Sequence, residues 1–234
     1  MNERRAHRVS ATTRLVGLLG WPVEHSLSPR MQNAAFRAAG LDLLYVALPT
    51  PPETLERALA GLPALGFVGA NVTAPHKLEV ARLLGADATS VNTLVVRDGR
   101  LEGSSTDTAI LDGLVSRQPV VLGDGGAAHA FLEALPNARR FSRRGAWPPD
   151  VRGADLVVNA TSDRETVLVQ LEEDQTIVDL PYPETATATA ARAVGARVVT
   201  GLDVLLAQGA ASFERWTGLA APLEAMRAAL AATD

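Results

Sequence analysis

The strongest constraint on the fold is an abrupt change of pattern at residues 120–128. Three apolar β-formers, Val120-Val121-Leu122, break into Gly123-Asp124-Gly125-Gly126-Ala127-Ala128, and an alanine-rich helical stretch follows. A short, uninterrupted apolar run reads as a strand buried on both faces, and such strands belong to parallel sheets covered by helices. Glycines at the turn allow a ligand phosphate to reach the backbone at the helix N-terminus, where free N–H groups and the helix dipole favour an anion. An ordinary tight strand-to-helix turn is the other reading of the same string. Strand-like and helix-like segments alternate through the rest of the chain, which makes the fold class α/β with largely parallel sheets.

Strands are expected at Arg14–Leu19, Leu43–Leu48, Phe67–Val72, Thr93–Arg97, Arg100–Glu102, Val120–Leu122, Arg140–Ser142, Leu156–Asn159, Thr176–Leu180 and Arg197–Thr200. Asp98-Gly99 is the two-residue signal of a hairpin. Ser28-Pro29 reads as N-cap and first helical residue of a helix stopped by Gly40. Thr50-Pro51-Pro52-Glu53 reads as a capping box before a helix with Leu55, Ala58, Leu59 and Leu62 on its apolar stripe. Pro75 begins a helix whose first turn carries His76 and Lys77, and another helix starts at Thr106-Asp107. Two helices, Val204–Trp216 and Leu223–Ala232, close the chain, with Phe213 and Trp216 expected in the core.

Composition enters through charge. The 234 residues carry a net charge of −4, no cysteine, and 22 basic side chains of which 21 are arginine and one is lysine, Lys77. The mild acidity excludes a general nucleic-acid binder, and the missing cysteine excludes disulfide and thiolate chemistry. The longest apolar run near the N-terminus stops at Pro22, Glu24 and His25, short of a signal peptide or membrane span, so a cytoplasmic protein without membrane partners is expected. Arginine replaces lysine wherever only positive charge is wanted, and fails where a titratable amine is needed. Lys77 stands in Asn71-Val72-Thr73-Ala74-Pro75-His76-Lys77, at the positive end of a helix dipole. That position does nothing for a structural cation but depresses an amine's pKa, as proton transfer near neutral pH requires. Asp107, by default a helix cap, is the candidate partner. His7, His25, His76 and His129 have no metal-ligand spacing, so no metal site is expected, and His25 is expected to be a buried structural residue.

Past the strand that follows the glycine turn come Arg143 and Arg144, where an NAD enzyme usually places an acid for the ribose hydroxyls. Two cations there suit a 2′-phosphate and so favour NADP, whereas Asp124, inside the turn, opposes an anion. Only residues 145–154 separate this basic turn from the next strand, too few for a crossover with its helix, so one strand and one helix are expected to be missing from that sheet edge.

Several motifs in order resemble the shikimate dehydrogenase family, from about Leu15 to the C-terminus. Gly20-Trp21-Pro22-Val23-Glu24-His25-Ser26-Leu27-Ser28-Pro29 is similar to the family's N-terminal signature, in which Ser26 and Ser28 would hold the substrate carboxylate. The heptapeptide ending at Lys77 resembles the stretch that supplies a substrate-binding threonine, here Thr73, and the catalytic lysine. Val91-Asn92-Thr93 and Thr106-Asp107 match the substrate-binding asparagine, Asn92, and the catalytic aspartate. The segment from Gln208 to Gly218 resembles the closing helix whose glutamine reaches substrate. Tyr182 resembles the tyrosine at the cleft between domains, where it contacts substrate or fills space.

The resemblance implies an N-terminal α/β substrate-binding domain, residues 1–107 with 208–234, and a trimmed Rossmann-like NADP-binding domain, residues 108–207. It implies reversible NADPH-dependent reduction of 3-dehydroshikimate to shikimate, a step of aromatic amino-acid biosynthesis, by a monomer or homodimer. Gly123, Gly125, Gly126, Ala127, Ala128, Arg143, Arg144 and Thr161 would then hold the cofactor. Two alternatives stay open: a quinate/shikimate dehydrogenase using NAD or NADP, and a non-catalytic shikimate-binding protein with an impaired cofactor half. The sequence also departs from the family pattern. Gln32 stands for a usual histidine and Ser105 for a usual asparagine. The span from Lys77 to Asn92 is short, which implies a trimmed helix, and Asn159-Ala160-Thr161 lacks the glycine-methionine that usually follows.

Overall fold

A computed structural model describes residues 9–232 of the chain; His7 lies outside them. Two five-stranded sheets organise the molecule. The first contains β1 (Arg14–Gly20), β2 (Leu43–Pro49), β3 (Gly69–Val72), β4 (Thr93–Arg97) and β5 (Arg100–Ser104) in the order β2-β1-β3-β4-β5. Its first three strands are parallel, and β4 and β5 add an antiparallel hairpin. The hairpin turn is the expected Asp98-Gly99, both residues at positive φ (50° and 73°), as a turn matched to right-handed strand twist requires. On one face pack α1 (Ser28–Ala38), α6 (Gly201–Thr217) and α7 (Leu223–Ala231), burying Val16, Met31, Phe36, Tyr45, Phe213 and Met226. The opposite face holds α2 (Leu55–Ala64) and α3 (Lys77–Leu84) over Leu19, Leu59, Leu62, Val72 and Val80. Fully burying one such side chain contributes about 1.5–3 kcal/mol.

The second sheet contains β6 (Pro119–Leu122), β7 (Arg139–Phe141), β8 (Leu156–Asn159), β9 (Thr176–Asp179) and β10 (Arg197–Val199), all parallel, in the order β10-β9-β8-β6-β7. Residues on its strands alternate between two cores. Val120, Leu122, Val157 and Ile177 face the side of α5 (Ala186–Ala193), while Val121, Val158 and Val178 face α4 (Gly126–Ala134) and the start of α6 at Val204. A complete dinucleotide-binding sheet has the order 3-2-1-4-5-6. Here β7 is the second strand of that scheme and also the edge, because residues 142–155 form neither strand nor helix. The expected deficit is therefore real, and it lies where the loop is too short for a crossover. Helix α6 runs without interruption from the second sheet onto the first, so residue 208 falls within one continuous helix.

Several local expectations are corrected. Ser28 is the first helical residue of α1 and not its cap; Leu27 occupies the cap without a side-chain bond. The capping box at Thr50 does not form: the Thr50 hydroxyl donates to the Leu48 carbonyl, and a 3-10 turn over Pro52–Thr54 precedes α2. The turn through Pro75 is not yet helical, and α3 begins at Lys77 itself. The helix expected at Thr106-Asp107 is only a 3-10 turn, Ala109–Leu111, because Gly113 at φ 84° and the entry to β6 at Pro119 leave no length for it. His25 is exposed and carries no core role. Among the described residues no helix is long and apolar enough to cross a membrane.

Candidate active site

The site forms where β3, β4 and β5 end side by side. Antiparallel register sets Asn71 opposite Thr93 and Thr93 opposite Ser104, so the residues just outside the ladder, Asn92 before β4 and Thr106-Asp107 after β5, meet the turn that leads from β3 into α3. Lys77 is the first residue of α3. Its Nζ donates to both carboxylate oxygens of Asp107 at 2.7 Å, with side chains 15% and 8% exposed. Asn92 Nδ2 donates to Asp107 Oδ1 at 2.8 Å, and Asn92 Oδ1 accepts from the Thr106 backbone N–H at 2.8 Å. This reciprocal bond fixes the loop that carries Asp107. The carboxylate that looked like a cap is committed to an amine and an amide, and leaves Lys77 Nζ with one further proton to direct into the cleft.

Gln208, on α6, closes the other side. Its Oε1 receives a long bond of 3.4 Å from Asn92 and its Nε2 donates to the Leu205 carbonyl. Ser28 is buried and Ser26 half-buried, with the Ser28 N–H bonded to Ser26 Oγ at 3.3 Å. Thr73 follows β3 directly and is half-buried. Tyr182, although it follows β9 of the second sheet, packs against the core of the first and lies near Tyr45. Lys77, Asn92, Asp107 and Gln208 are thus joined by direct hydrogen bonds, and Ser28 and Tyr182 lie at Tyr45, whose hydroxyl bonds Asn71 behind them.

A polar layer behind them is not announced by any motif. Ser212 Oγ lies at 2.9–3.1 Å from Asn71 Nδ2, Thr93 Oγ1, Thr106 Oγ1 and the Gln208 carbonyl. Tyr45 OH donates to Asn71 Oδ1 at 2.8 Å and is also bonded to Ser28, while burial pushes its phenol well above the usual range. The available signal was periodicity: Ser212 is one turn beyond Gln208 on the same helix face. Gln32, fully buried, donates to the Gly209 carbonyl at 2.8 Å, between α1 and α6.

The glycine turn lies against this cleft. Gly125 caps α4, and a Cβ there would meet nothing within 4 Å, so the backbone is open to approach. Gly126, Ala127 and Ala128 form the first helical turn, whose N–H groups have no intrahelical acceptor. Gly123, at φ 126°, packs on the Ala160 carbonyl, which only a residue without a side chain allows. A Cβ on Gly126 would stand 2.5 Å from the Lys77 Cβ, so the turn and the lysine are in direct contact. These features fit the pyrophosphate of a dinucleotide.

The outer candidate cofactor residues follow β7 and β8 and are engaged with protein groups. Arg143 is bonded to Asp163 at 2.5 Å and lies over the Trp147 ring, whereas Arg144 is 87% exposed, 3.9 Å from Asp124. Thr161 turns back, its N–H and hydroxyl both bonded to Asn159 Oδ1 at the end of β8. Arg140, expected only as a strand residue, lies on β7 and pairs with Asp124.

Known proteins are similar to this chain over most of its length. Residues 18–94 match the family described as shikimate dehydrogenase substrate binding domain, and residues 201–231 match the shikimate 5′-dehydrogenase C-terminal domain. The chain is 40% identical to the shikimate dehydrogenase (NADP(+)) of Moorella thermoacetica, over 94% of this chain and 93% of that one. That alignment runs over 274 positions against the 234 residues here, so the relative carries residues with no counterpart in this chain. Among solved structures, the shikimate dehydrogenase of Aquifex aeolicus superposes with a TM-score of 0.86 at 32% identity, covering 96% of this chain and all of that one (100%). The enzyme from Thermus thermophilus, solved in complex with NADP(H) and shikimate, does so with 0.80 at 32% identity, covering 92% and 98%. With this similarity extending over nearly the whole of both partners, the chain belongs to the shikimate dehydrogenase family.

Proposed function

We propose that the protein catalyses the reversible NADP(H)-dependent interconversion of 3-dehydroshikimate and shikimate. The observation that carries this reading is the Lys77–Asp107 pair, 2.7 Å apart and held by Asn92, in direct contact with the glycine turn. In this reading residues 1–107 with 208–234 bind the substrate and residues 108–207 bind the dinucleotide. Ser26 and Ser28 take the carboxylate, while Thr73, Asn92, Gln208 and Tyr182 line the ring.

NADPH, when bound, brings a hydride equivalent to the site; Gly123, Gly125 and the first-turn N–H groups of α4 would hold its pyrophosphate. The chain's own task is the proton. Lys77 donates to the carbonyl oxygen as that oxygen gains charge, and Asp107 accepts from an adjacent ring hydroxyl and keeps the ammonium aimed. Arginine at position 77 would preserve the ion pair but has no accessible neutral form, so it cannot complete a proton cycle.

The test is oxidation of shikimate with NADP+ followed by absorbance of the reduced nicotinamide. Lys77→Ala should lower kcat about 10²–10⁴-fold with a smaller effect on substrate KM. Lys77→Arg should fail to restore it. Wild-type turnover in the alanine variant would sink the assignment. Shikimate binding without turnover of NADP+ or NAD+ by the wild-type protein would favour the non-catalytic reading instead.

A further inference from the structure

The sheet edge left bare by the missing strand and helix carries a cluster of paired charges. Asp124 follows β6 by two residues, and parallel register sets Val121 beside Arg140 and Leu122 beside Phe141, which brings the Asp124 carboxylate next to the C-terminal end of β7. There it pairs with Arg140 through Oδ1 and lies 3.9 Å from Arg144 through Oδ2. The three charged groups, together with Ser142, Gly145 and Ala146, line a cavity of about 310 Å³. Two of its walls, Gly145 and Ala146, come from the loop that replaces the absent βα unit. In a dinucleotide-binding sheet, the crevice outside the carboxyl ends of the strands, beside the glycine turn, receives the adenosine ribose.

From this we infer that Asp124 is a specificity-determining residue, which weakens recognition of a 2′-phosphate and widens the site's tolerance for a cofactor with a free 2′-hydroxyl. The inference rests on the dinucleotide reading above and refines it. A 2′-phosphate carries close to two negative charges near neutral pH. To bind Arg140 it must displace the carboxylate that already pairs with it, and it then remains beside that carboxylate, which also lies 3.9 Å from Arg144. A ribose 2′-hydroxyl meets the opposite situation, because it is a donor and Asp124 is an acceptor. Arg143 is itself paired with a carboxylate, Asp163, at 2.5 Å. One carboxylate between two guanidiniums leaves a single net positive charge where two would otherwise face the ligand.

Calorimetric titration of wild type and Asp124→Asn with adenosine 2′,5′-bisphosphate and with ADP separates the possibilities without reference to turnover. Removal of a partly solvated charge a few ångströms from the phosphate should tighten the bisphosphate about tenfold or more, and leave ADP unchanged or weaker. The gain should shrink with added salt. Asp124→Ala, with thermal melting of both variants, separates a charge effect from an amide contact or a folding defect. An unchanged ratio of the two affinities in both variants, or a shift towards ADP, overturns the role of Asp124 while leaving the dinucleotide site intact. Should neither nucleotide bind any of the three proteins while shikimate does, the dinucleotide reading itself fails and the role falls with it.

Discussion

Replacing Gly126 by alanine tests the contact between the glycine turn and the lysine. The added Cβ would stand 2.5 Å from the Lys77 Cβ and 3.1 Å from both Lys77 Cδ and Ser90 Oγ, whereas ordinary van der Waals contact begins near 3.4 Å. Something must therefore yield by about an ångström. Lys77 Cβ belongs to the first turn of α3 and Gly126 to the first turn of α4, so neither can swing aside as a long side chain would. The two elements must separate or the lysine must move. A misplacement of about 1 Å at a reacting group costs on the order of 10²-fold in rate, and overpacking of this kind costs about 1–3 kcal/mol of stability. Steady-state kinetics with saturating shikimate and NADP+ should show that loss in kcat. Gly125→Ala is the internal contrast. Its Cβ meets no protein atom within 4 Å, so it should leave stability unchanged and act on cofactor KM. If Gly126→Ala kept the wild-type kcat, the reasoning that the turn positions Lys77 would be refuted.

Two further outcomes concern the fold. Tyr45→Phe removes the donor to Asn71 Oδ1 in a fully enclosed layer and should cost about 1–3 kcal/mol in urea unfolding; a cost near zero would mean the layer repacks without it. At Asp155, burial alone would raise the carboxyl, but hydrogen bonds from the Ser116 hydroxyl and the Arg117 and Gln118 N–H groups outweigh it and hold the group below its ordinary value of 3.8. Its folded pKa thus lies below the unfolded one. The stabilisation is full above the unfolded value and is lost as pH falls through the folded one. Asp155→Asn should therefore melt lower than wild type at pH 7, and the gap should narrow as pH drops below about 4. A gap independent of pH would contradict that account.

Much of the architecture was legible because it follows from local chemistry. Buried runs such as Val120–Leu122 and Leu156–Asn159 have few alternatives to a covered parallel strand. The glycine turn fixed the start of α4, and simple chain length located the missing edge of the second sheet. The errors fall where side chains had a choice of partner. Ser28, Thr50 and Asp107 all carry the composition of a helix cap, and each instead bonds elsewhere, to Tyr45, to the Leu48 carbonyl and to Lys77 respectively. Capping motifs specify what a residue is able to bond, whereas burial decides what it does bond.

The sequence by itself determined that Lys77 was the one amine among the basic residues and placed it at a helix start after a strand. It also determined which motifs accompany it, since these are strings of neighbouring residues. The tertiary structure decided what no linear pattern encodes. The register of β3, β4 and β5 brings Asn92 and Asp107 onto that amine, and α6 returns Gln208 and Ser212 from the far end of the chain to the same cleft. It also gave Asp124, which the sequence places only inside the glycine turn, a charged partner in Arg140. The physical reason is common to all three: electrostatic and hydrogen-bond partners are set by distance in space, and in this fold the closest charged and polar groups are supplied by strands and helices far apart in sequence.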